Sequence, residues 1–224
     1  MTEPRPSSPA LRRETDFSVR PLARADCRRI AEIHVSARPG DVLPDLGVAF
    51  LDTLYGRLLG RPGVWAFVGE SSGRVVGFVL GCADTGATMR AVAIGGCLPL
   101  AWHTLAGCAR RPRLAWHALE TLRYPARRHA PGPELMVVAV EPDWQGCGVG
   151  SRLIATFSER LRLQGCSTYH VAVKSKNDTA ARFYGRLGFR VVQRLAMYGE
   201  PWDLYEYRLT SHQPSVRPAV GVSP

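Results

Sequence analysis

Lysine is almost missing from this chain. Of 224 residues only Lys174 and Lys176 are lysines, so a formal net charge of +10 rests on arginine. Neither lysine follows a glycine, and the Gly-Lys-Ser/Thr of a nucleotide-binding P-loop does not occur. The arginine excess fits either genome composition with solubility or attraction to polyanions. The aromatic-basic stripe of a nucleic-acid reader does not accompany it, so a nucleic-acid partner is not expected. Long apolar runs are missing too. The longest candidate, Ala91 to Trp102, is broken by Gly95, Gly96 and Pro99 and falls short of the ~20 residues of a membrane span. The opening stretch MTEPRPSSPALRRE has no apolar core, which speaks against a secretion signal. Six cysteines, at 27, 82, 97, 108, 147 and 166, form no Cys-x-x-Cys pair and no His/Cys ligand spacing. Neither a disulfide framework nor a metal site is expected, and reduced thiols in a cytoplasmic setting are the default.

What the chain does have is 46% hydrophobic residues, enough at this length for one well-buried domain. That domain is expected over 16–210, between disordered tails at 1–15 and 211–224. The most informative stretch runs from Glu134 to Phe189. LMVVAV at 135–140 is short, continuous and β-branched, as a fully buried strand would be, and Pro142 and Asp143 end it. The turn QGCGVG at 145–150 follows, with Ser151 behind it. Val149, Leu153, Phe157 and Leu161 then recur every fourth residue, with Ile154 beside them, which puts one apolar stripe on a helix. Glycines at a strand-to-helix turn let a ligand approach the backbone closely. The helix N-terminus offers unsatisfied N–H donors and the positive end of the dipole. A phosphate or pyrophosphate is the expected guest. The dinucleotide fingerprint Gly-x-Gly-x-x-Gly fails, because its third glycine would fall on Ser151 or on Leu153.

What fits is Gln-x-x-Gly-x-Gly at 145–150, which resembles the acyl-CoA pyrophosphate loop of the GNAT superfamily of N-acetyltransferases. The preceding AVEP at 139–142 looks like that family's strand end. Downstream, NDTAARFYGRLGF from Asn177 to Phe189 is similar to its second signature, N-x-x-A-x-x-F-Y-x-x-x-G-F. The likeness is specific across about 134–192 and degenerate across about 16–83 and 202–209. It implies an α/β (α+β) fold with a central mixed, mostly antiparallel sheet flanked by helices. It also implies an acyl-CoA-dependent N-acetyltransferase that takes acetyl-CoA as co-substrate, needs no metal and transfers directly in a ternary complex.

In chain order, strands are expected at 17–22, 64–68, 75–80, 168–173, from Phe189, and at 204–209, with a hairpin turn at Ser71–Gly73 and a loop at 198–202. A first helix carries Ile30, Ile33, His34 and Val35, with Asp26 as a candidate cap, and a second runs through 46–59. His34 reads either as packing or as catalytic. A later helix starts at Asn177 or Asp178 and stops at Gly188. The segment 84–133 is extra relative to the resembled family. Its seven arginines against Asp84 and Glu120 leave +5, half of the net charge. Two short helices joined around Arg110 to Pro112 are expected there. Three readings stay open: a helical hairpin packed on the domain or at a homodimer contact, a lid over the acceptor site, or a helix in a membrane surface, since Trp and Arg interleave.

The resemblance also implies roles. Gln145 and the N–H groups of Gly146, Cys147, Gly148, Val149, Gly150 and Ser151 would hold the pyrophosphate. Backbone groups of Val138 and Val140 would hold the pantetheine arm, and the N–H of Ala139 would polarise the carbonyl. Asn177 would contact the CoA arm, or serve only as a cap. Tyr184 would protonate the departing thiolate, or be a core aromatic beside Phe183; one of the two neighbours can be buried while the other faces the site. Glu134 is the candidate base, with a water chain as the alternative, and Glu141 is expected to face solvent. Cys147 sits in the phosphate loop, which argues against an acyl-enzyme. The acceptor would lie between loops 37–45 and 198–203, where Asp41, Asp45, Glu200 and Asp203 either hold an ammonium or are ordinary loop polarity. The expected acceptor is a small-molecule primary amine, with an amino sugar or sugar nucleotide leading. The alternatives are a protein or peptide N-acetyltransferase and a non-catalytic acyl-CoA-binding regulatory module.

Overall fold

The computed structural model describes residues 17–38, 43–94 and 132–209. The expected tails, Asp41 and the helix pair around 110–112 lie outside the described residues. Seven strands form one sheet in the order β1-β2-β3-β4-β5-β7-β6. They are β1 (Ser18–Pro21), β2 (Val64–Ser71), β3 (Arg74–Cys82), β4 (Glu134–Val140), β5 (Thr168–Lys174), β6 (Arg190–Met197) and β7 (Glu200–Arg208). The helices are α1 (Cys27–Ala37), α2 (Val48–Leu58), α3 (Thr85–Ile94), α4 (Val149–Leu163) and α5 (Asp178–Arg186). Every neighbouring pair is antiparallel except β4–β5. This is the mixed, mostly antiparallel sheet that the sequence implied.

The sheet carries a core on each face. Ile30 and Ile33 of α1 and Leu51, Leu54 and Leu58 of α2 pack against Val68, Phe78 and Leu80. On the other face, Leu153, Phe157 and Leu161 of α4 meet Val79, Leu135, Tyr169 and Val171. Full burial of each such side chain contributes roughly 1.5–3 kcal/mol. The α4 stripe read from its four-residue spacing is the face that is buried, with Val149, Leu153, Phe157 and Leu161 all sealed from solvent. Glycines in the sheet let this helix come close. A Cβ built on Gly69 would lie 3.1 Å from Val149 Cγ1, and one on Gly81 would lie 2.4 Å from Phe157 Cζ.

Two local expectations are corrected. Asp26 precedes α1 but makes no side-chain cap bond to it. Its carboxylate instead accepts from the Ala23 N–H at 2.8 Å and from the Arg20 guanidinium at 2.7 and 3.0 Å. The bond from Arg20 holds the carboxyl below its usual range. The expected loop at 198–202 is a two-residue turn, Tyr198 (φ 55°) and Gly199 (φ 73°), and β7 already starts at Glu200. Two left-handed residues match the twist of a tight hairpin, which the proline at 201 disguised in the sequence. Of the extra segment, α3 is described. Asp84 caps it through its carboxylate and the Ala87 N–H at 2.9 Å, and Met89 and Val92 pack into the α1–α2 core. Among the described residues no helix is long and apolar enough to cross a membrane.

The central feature is a split. The parallel strands β4 and β5 pair at Glu134 and His170, where the His170 N–H donates to the Pro133 carbonyl at 3.0 Å. No further β4–β5 partners follow among the described residues, so the two strands part and β4 keeps an open backbone edge. On its other edge β4 pairs with β3 except at Met136, which is skipped between Val137 and Leu135. Such a bulge re-aims the side chains around it.

Candidate functional site

The two halves of β4 line two different cavities. Val138, Ala139 and Val140 line one of about 770 Å³, together with the loop after β4 and residues of α5. Glu134, Leu135, Met136 and Val137 line a second of about 190 Å³. Arg38, at the end of α1, lines both. The sequence carried no signal for it.

The floor of the larger cavity is the glycine loop. Gly146 and Gly148 have φ of 77° and 79°, conformations that other residues take at a cost of about 1–2 kcal/mol. The first intrahelical bond of α4 is Arg152 N–H to the Gly148 carbonyl at 3.1 Å. The N–H groups of Val149, Gly150 and Ser151 precede it and have no intrahelical acceptor, as at any helix start. Gln145 ties the loop back to the strand through Nε2 and the Val140 carbonyl at 3.1 Å. Gln145, Gly146, Gly148, Gly150 and Ser151 line the cavity, whereas the side chains of Cys147 and Val149 turn into the core. Those two can offer a ligand only their backbone. Gly150 gives space, since a Cβ there would come within 3.3 Å of Phe183 Cζ. Glu141 is not solvated as expected. It is clamped at 2.6 Å by Arg29 and by Arg74, which bolts the end of β4 to α1 and β3.

Asn177 lines the same cavity and is also the cap of α5, accepting from the Ala180 N–H at 3.0 Å. The two roles separate by substitution. Asn177→Ala is expected to lose about 1 kcal/mol of stability, and Asn177→Ser to keep most of it. A denaturation curve checks the cap. If the amide also holds the acyl-CoA arm, both variants weaken acetyl-CoA binding measured by calorimetry.

Tyr184 sits one helical turn from the end of α5, and its place is fixed by how that helix stops. Gly188 (φ 92°) lets the Phe189 N–H reach the Tyr184 carbonyl at 3.1 Å and the Gly188 N–H reach Gly185 at 3.0 Å. This is a Schellman stop, and its accompanying apolar contact is Tyr184 on Phe189, ring centroids 5.1 Å apart. Tyr184 is 2% exposed, yet it lines the cavity. Phe183 lines it as well and is only half-buried, so the expected division into one buried ring and one facing ring does not hold. Burial pushes the Tyr184 hydroxyl up to about 12, and Arg38 pulls the other way.

Two polar pairs mark the walls of the smaller cavity. Glu134, 4% exposed, accepts from the Thr85 hydroxyl at the start of α3. His34 Nδ1 lies 2.5 Å from the Tyr55 hydroxyl. Burial raises that hydroxyl far above its ordinary value, so it stays protonated. Thr85 and Tyr55 had no motif to announce them. Of the acidic residues expected near the acceptor, Glu200 is paired with Lys174 and Lys176, and Asp203 lies 3.4 Å from Arg194. Asp45 is exposed on the turn before α2. None of these three lines the smaller cavity, whereas Glu134 does.

Comparison with known proteins follows the same outline. A model of the acetyltransferase (GNAT) family matches residues 27–189. The mycothiol acetyltransferase of Nocardiopsis dassonvillei is 38% identical over 73 residues, 33% of this chain and 22% of that protein. The match therefore spans about a fifth of that relative's length. The crystal structure of SsHAT superposes with a TM-score of 0.60 at 26% identity, covering 87% of this chain and 99% of that one. The PaiA N-acetyltransferase of Thermoplasma acidophilum, solved in complex with coenzyme A, superposes with a TM-score of 0.57 at 10% identity, over 87% and 99% of the two chains, a likeness of fold. The matched stretch begins where α1 begins and ends where the Schellman stop of α5 ends, and it encloses the split strand and the glycine loop: the chain belongs to the acetyltransferase (GNAT) family.

Proposed function

We propose that the protein transfers an acetyl group from acetyl-CoA to the primary amine of a small molecule. The observation that carries this reading is the division of β4: its second half borders a cavity with a helix-start anion site, and its first half borders a separate cavity with a buried carboxylate. A pyrophosphate suits the N–H groups of 149–151 and the dipole of α4. The extended pantetheine arm suits the open edge of β4, where Val138 and Val140 can pair with it as a strand would. The Ala139 N–H is the proposed donor to the thioester carbonyl.

In this reading the amine nitrogen forms a bond to the carbonyl carbon as the carbon–sulfur bond breaks. The sulfur leaves with the electron pair and takes a proton, and the ammonium proton passes to a base. Tyr184, in the larger cavity, is the proposed donor to sulfur. Glu134 is the proposed base. It lies three to four residues from the point on β4 where the cavities meet, about 10–13 Å of strand. Glu134 therefore acts across water, taking the ammonium proton through a water chain. His34 with Tyr55 faces the same cavity and supports such a relay.

The relatives' name, mycothiol acetyltransferase, does not carry over to the acceptor cavity. A 73-residue match cannot reach from His34 to Trp202, both of which line it. The test is calorimetry with acetyl-CoA and thiol release with added amines on one preparation. Binding with a Kd in about the micromolar range and amine-dependent thiol release are expected. Binding with no release under any amine would favour a non-catalytic acyl-CoA module, and no binding would sink the reading.

A further inference from the structure

The smaller cavity says what kind of amine fits. From its walls we infer that the acceptor is a primary amine on a compact apolar body, an arylalkyl- or alkylamine, and not a polyhydroxylated one. The inference rests on the acetyl-transfer reading and narrows its substrate.

Size is the first constraint. About 190 Å³ is the room of roughly six waters at about 30 Å³ each, below the range of a drug-sized ligand pocket. Wall chemistry is the second. Leu54, Leu58, Leu80, Met136, Met197 and Trp202 all line it. The chain has four methionines, and the three other than Met1, at 89, 136 and 197, all stand around this cavity. They come from α3, β4 and β6, so no local pattern gathered them. Methionine is flexible and polarizable, and its sulfur interacts well with aromatic edges. Three of them around one small space suit an apolar guest that they can fold against.

Six of the eight polar side chains among the described lining residues point the same way, because each is already engaged, while Arg38 and Tyr198 complete the set. Thr85 bonds Glu134, and His34 pairs with Tyr55. Lys174 is paired with Glu200 and lies 5.9 Å over the Trp202 ring, whose Nε1 donates to the Met197 carbonyl at 3.2 Å. Glu134 is a buried carboxylate in the wall, and its charge favours a cation entering the cavity. An amino sugar would bring several hydroxyls as well, and each one buried without a partner weakens binding about five- to a hundredfold. An apolar body loses nothing on these walls and gains by leaving water.

The experiment measures thiol release with 2-phenylethylamine, hexylamine and glucosamine at saturating acetyl-CoA. Calorimetry of 2-phenylethylamine against the full chain with CoA added, and of acetyl-CoA alone, gives readouts besides turnover. The expected kcat/KM for 2-phenylethylamine exceeds that for glucosamine by about a hundredfold or more. Met89 is only half-buried, so Met89→Trp fills the cavity at low risk to the fold. It is expected to lower kcat/KM for 2-phenylethylamine by about tenfold with acetyl-CoA affinity unchanged. Glucosamine turned over as well as 2-phenylethylamine, or no heat of binding from 2-phenylethylamine, would overturn the inference while acetyl-CoA binding leaves the acetyl-transfer reading standing. Loss of acetyl-CoA binding itself would remove that reading and the inference together.

Discussion

Tyr184→Phe is expected to lower kcat by about a hundredfold or more while leaving acetyl-CoA affinity nearly unchanged. The substitution removes one hydroxyl and keeps the ring that packs on Phe183, Phe189 and Tyr205 at 5.3, 5.1 and 6.1 Å. Folding stability should therefore change little, and calorimetry should report the same acetyl-CoA binding. Turnover should not survive as well. Burial holds the hydroxyl near 12, so it is protonated across the whole working range. Its proton is lost only as pH rises through that value, and no alkaline limb below about pH 11 should belong to it. A thiolate in water has a pKa near 8.5 and would be too weak a base for this phenol, by about 3–4 units or roughly 5 kcal/mol. Burial in the larger cavity would raise a thiolate by the same desolvation that raises the phenol, and Arg38, which lines both cavities, favours the phenolate. In the proposed role of Tyr184, the match of donor to leaving group would depend on that shared desolvation. Steady-state kinetics with the variant, paired with calorimetry, checks it. Equal loss of binding and turnover would make Tyr184 a packing residue only.

Gly81→Ala is expected to cost about 3 kcal/mol or more, at the upper end for overpacked cores. The new Cβ would stand 2.4 Å from the Glu134 carbonyl oxygen and 2.4 Å from Phe157 Cζ. The first is backbone of the partner strand, and the second belongs to a fully buried ring of α4. Neither is the loose end of a flexible side chain. For a domain of this size the loss lowers the melting temperature by about 6–12 °C. Phe157→Leu in the same chain should recover part of it, a coupling that a double-mutant cycle measures. Gly185→Ala is the internal contrast. It lies within α5 with nothing within 4 Å of its would-be Cβ, and it should stabilise by about 0.5–1 kcal/mol. If Gly81→Ala melts like the parent protein, the close approach of α4 to β3 is not a constraint.

The motifs that could be read in the chain are those whose physics is local. The glycine loop is contiguous, and left-handed φ at Gly146 and Gly148 with donors at the start of α4 follow from six residues in a row. The α4 stripe needs only the helical repeat. Asn177 and Gly188 mark the two ends of α5 because a cap and a Schellman stop involve residues within a few positions of each other. Where local rules compete, a partner from another element decides. Asp26 has the chemistry of a cap, but Arg20, reaching from β1, takes its carboxylate. Glu141 ends a strand and looks like a solvated residue, yet Arg29 and Arg74 come from α1 and β3 to enclose it. Pro201 suggests a loop, although its carbonyl still accepts from the Ser175 N–H at 3.0 Å within the sheet.

By itself, then, the sequence determined the strand, glycine turn and helix of 134–163 and the two signatures that resemble the family, because these depend on spacing along the chain, and the mixed sheet flanked by helices followed as what that resemblance implied. Tertiary structure alone decided how the two cavities are arranged along β4. The parting of β4 from β5 beyond Glu134 and His170 is a relation between segments more than thirty residues apart in sequence, as is the bulge at Met136 against β3. The place of Arg38 between two cavities, and the gathering of Met89, Met136 and Met197 around the smaller one, arise only when α1, α3, β4 and β6 are packed on a common sheet. Side chains brought together from distant segments leave no periodic trace in the chain, because only a shared core, and no repeat of helix or strand, sets their separation.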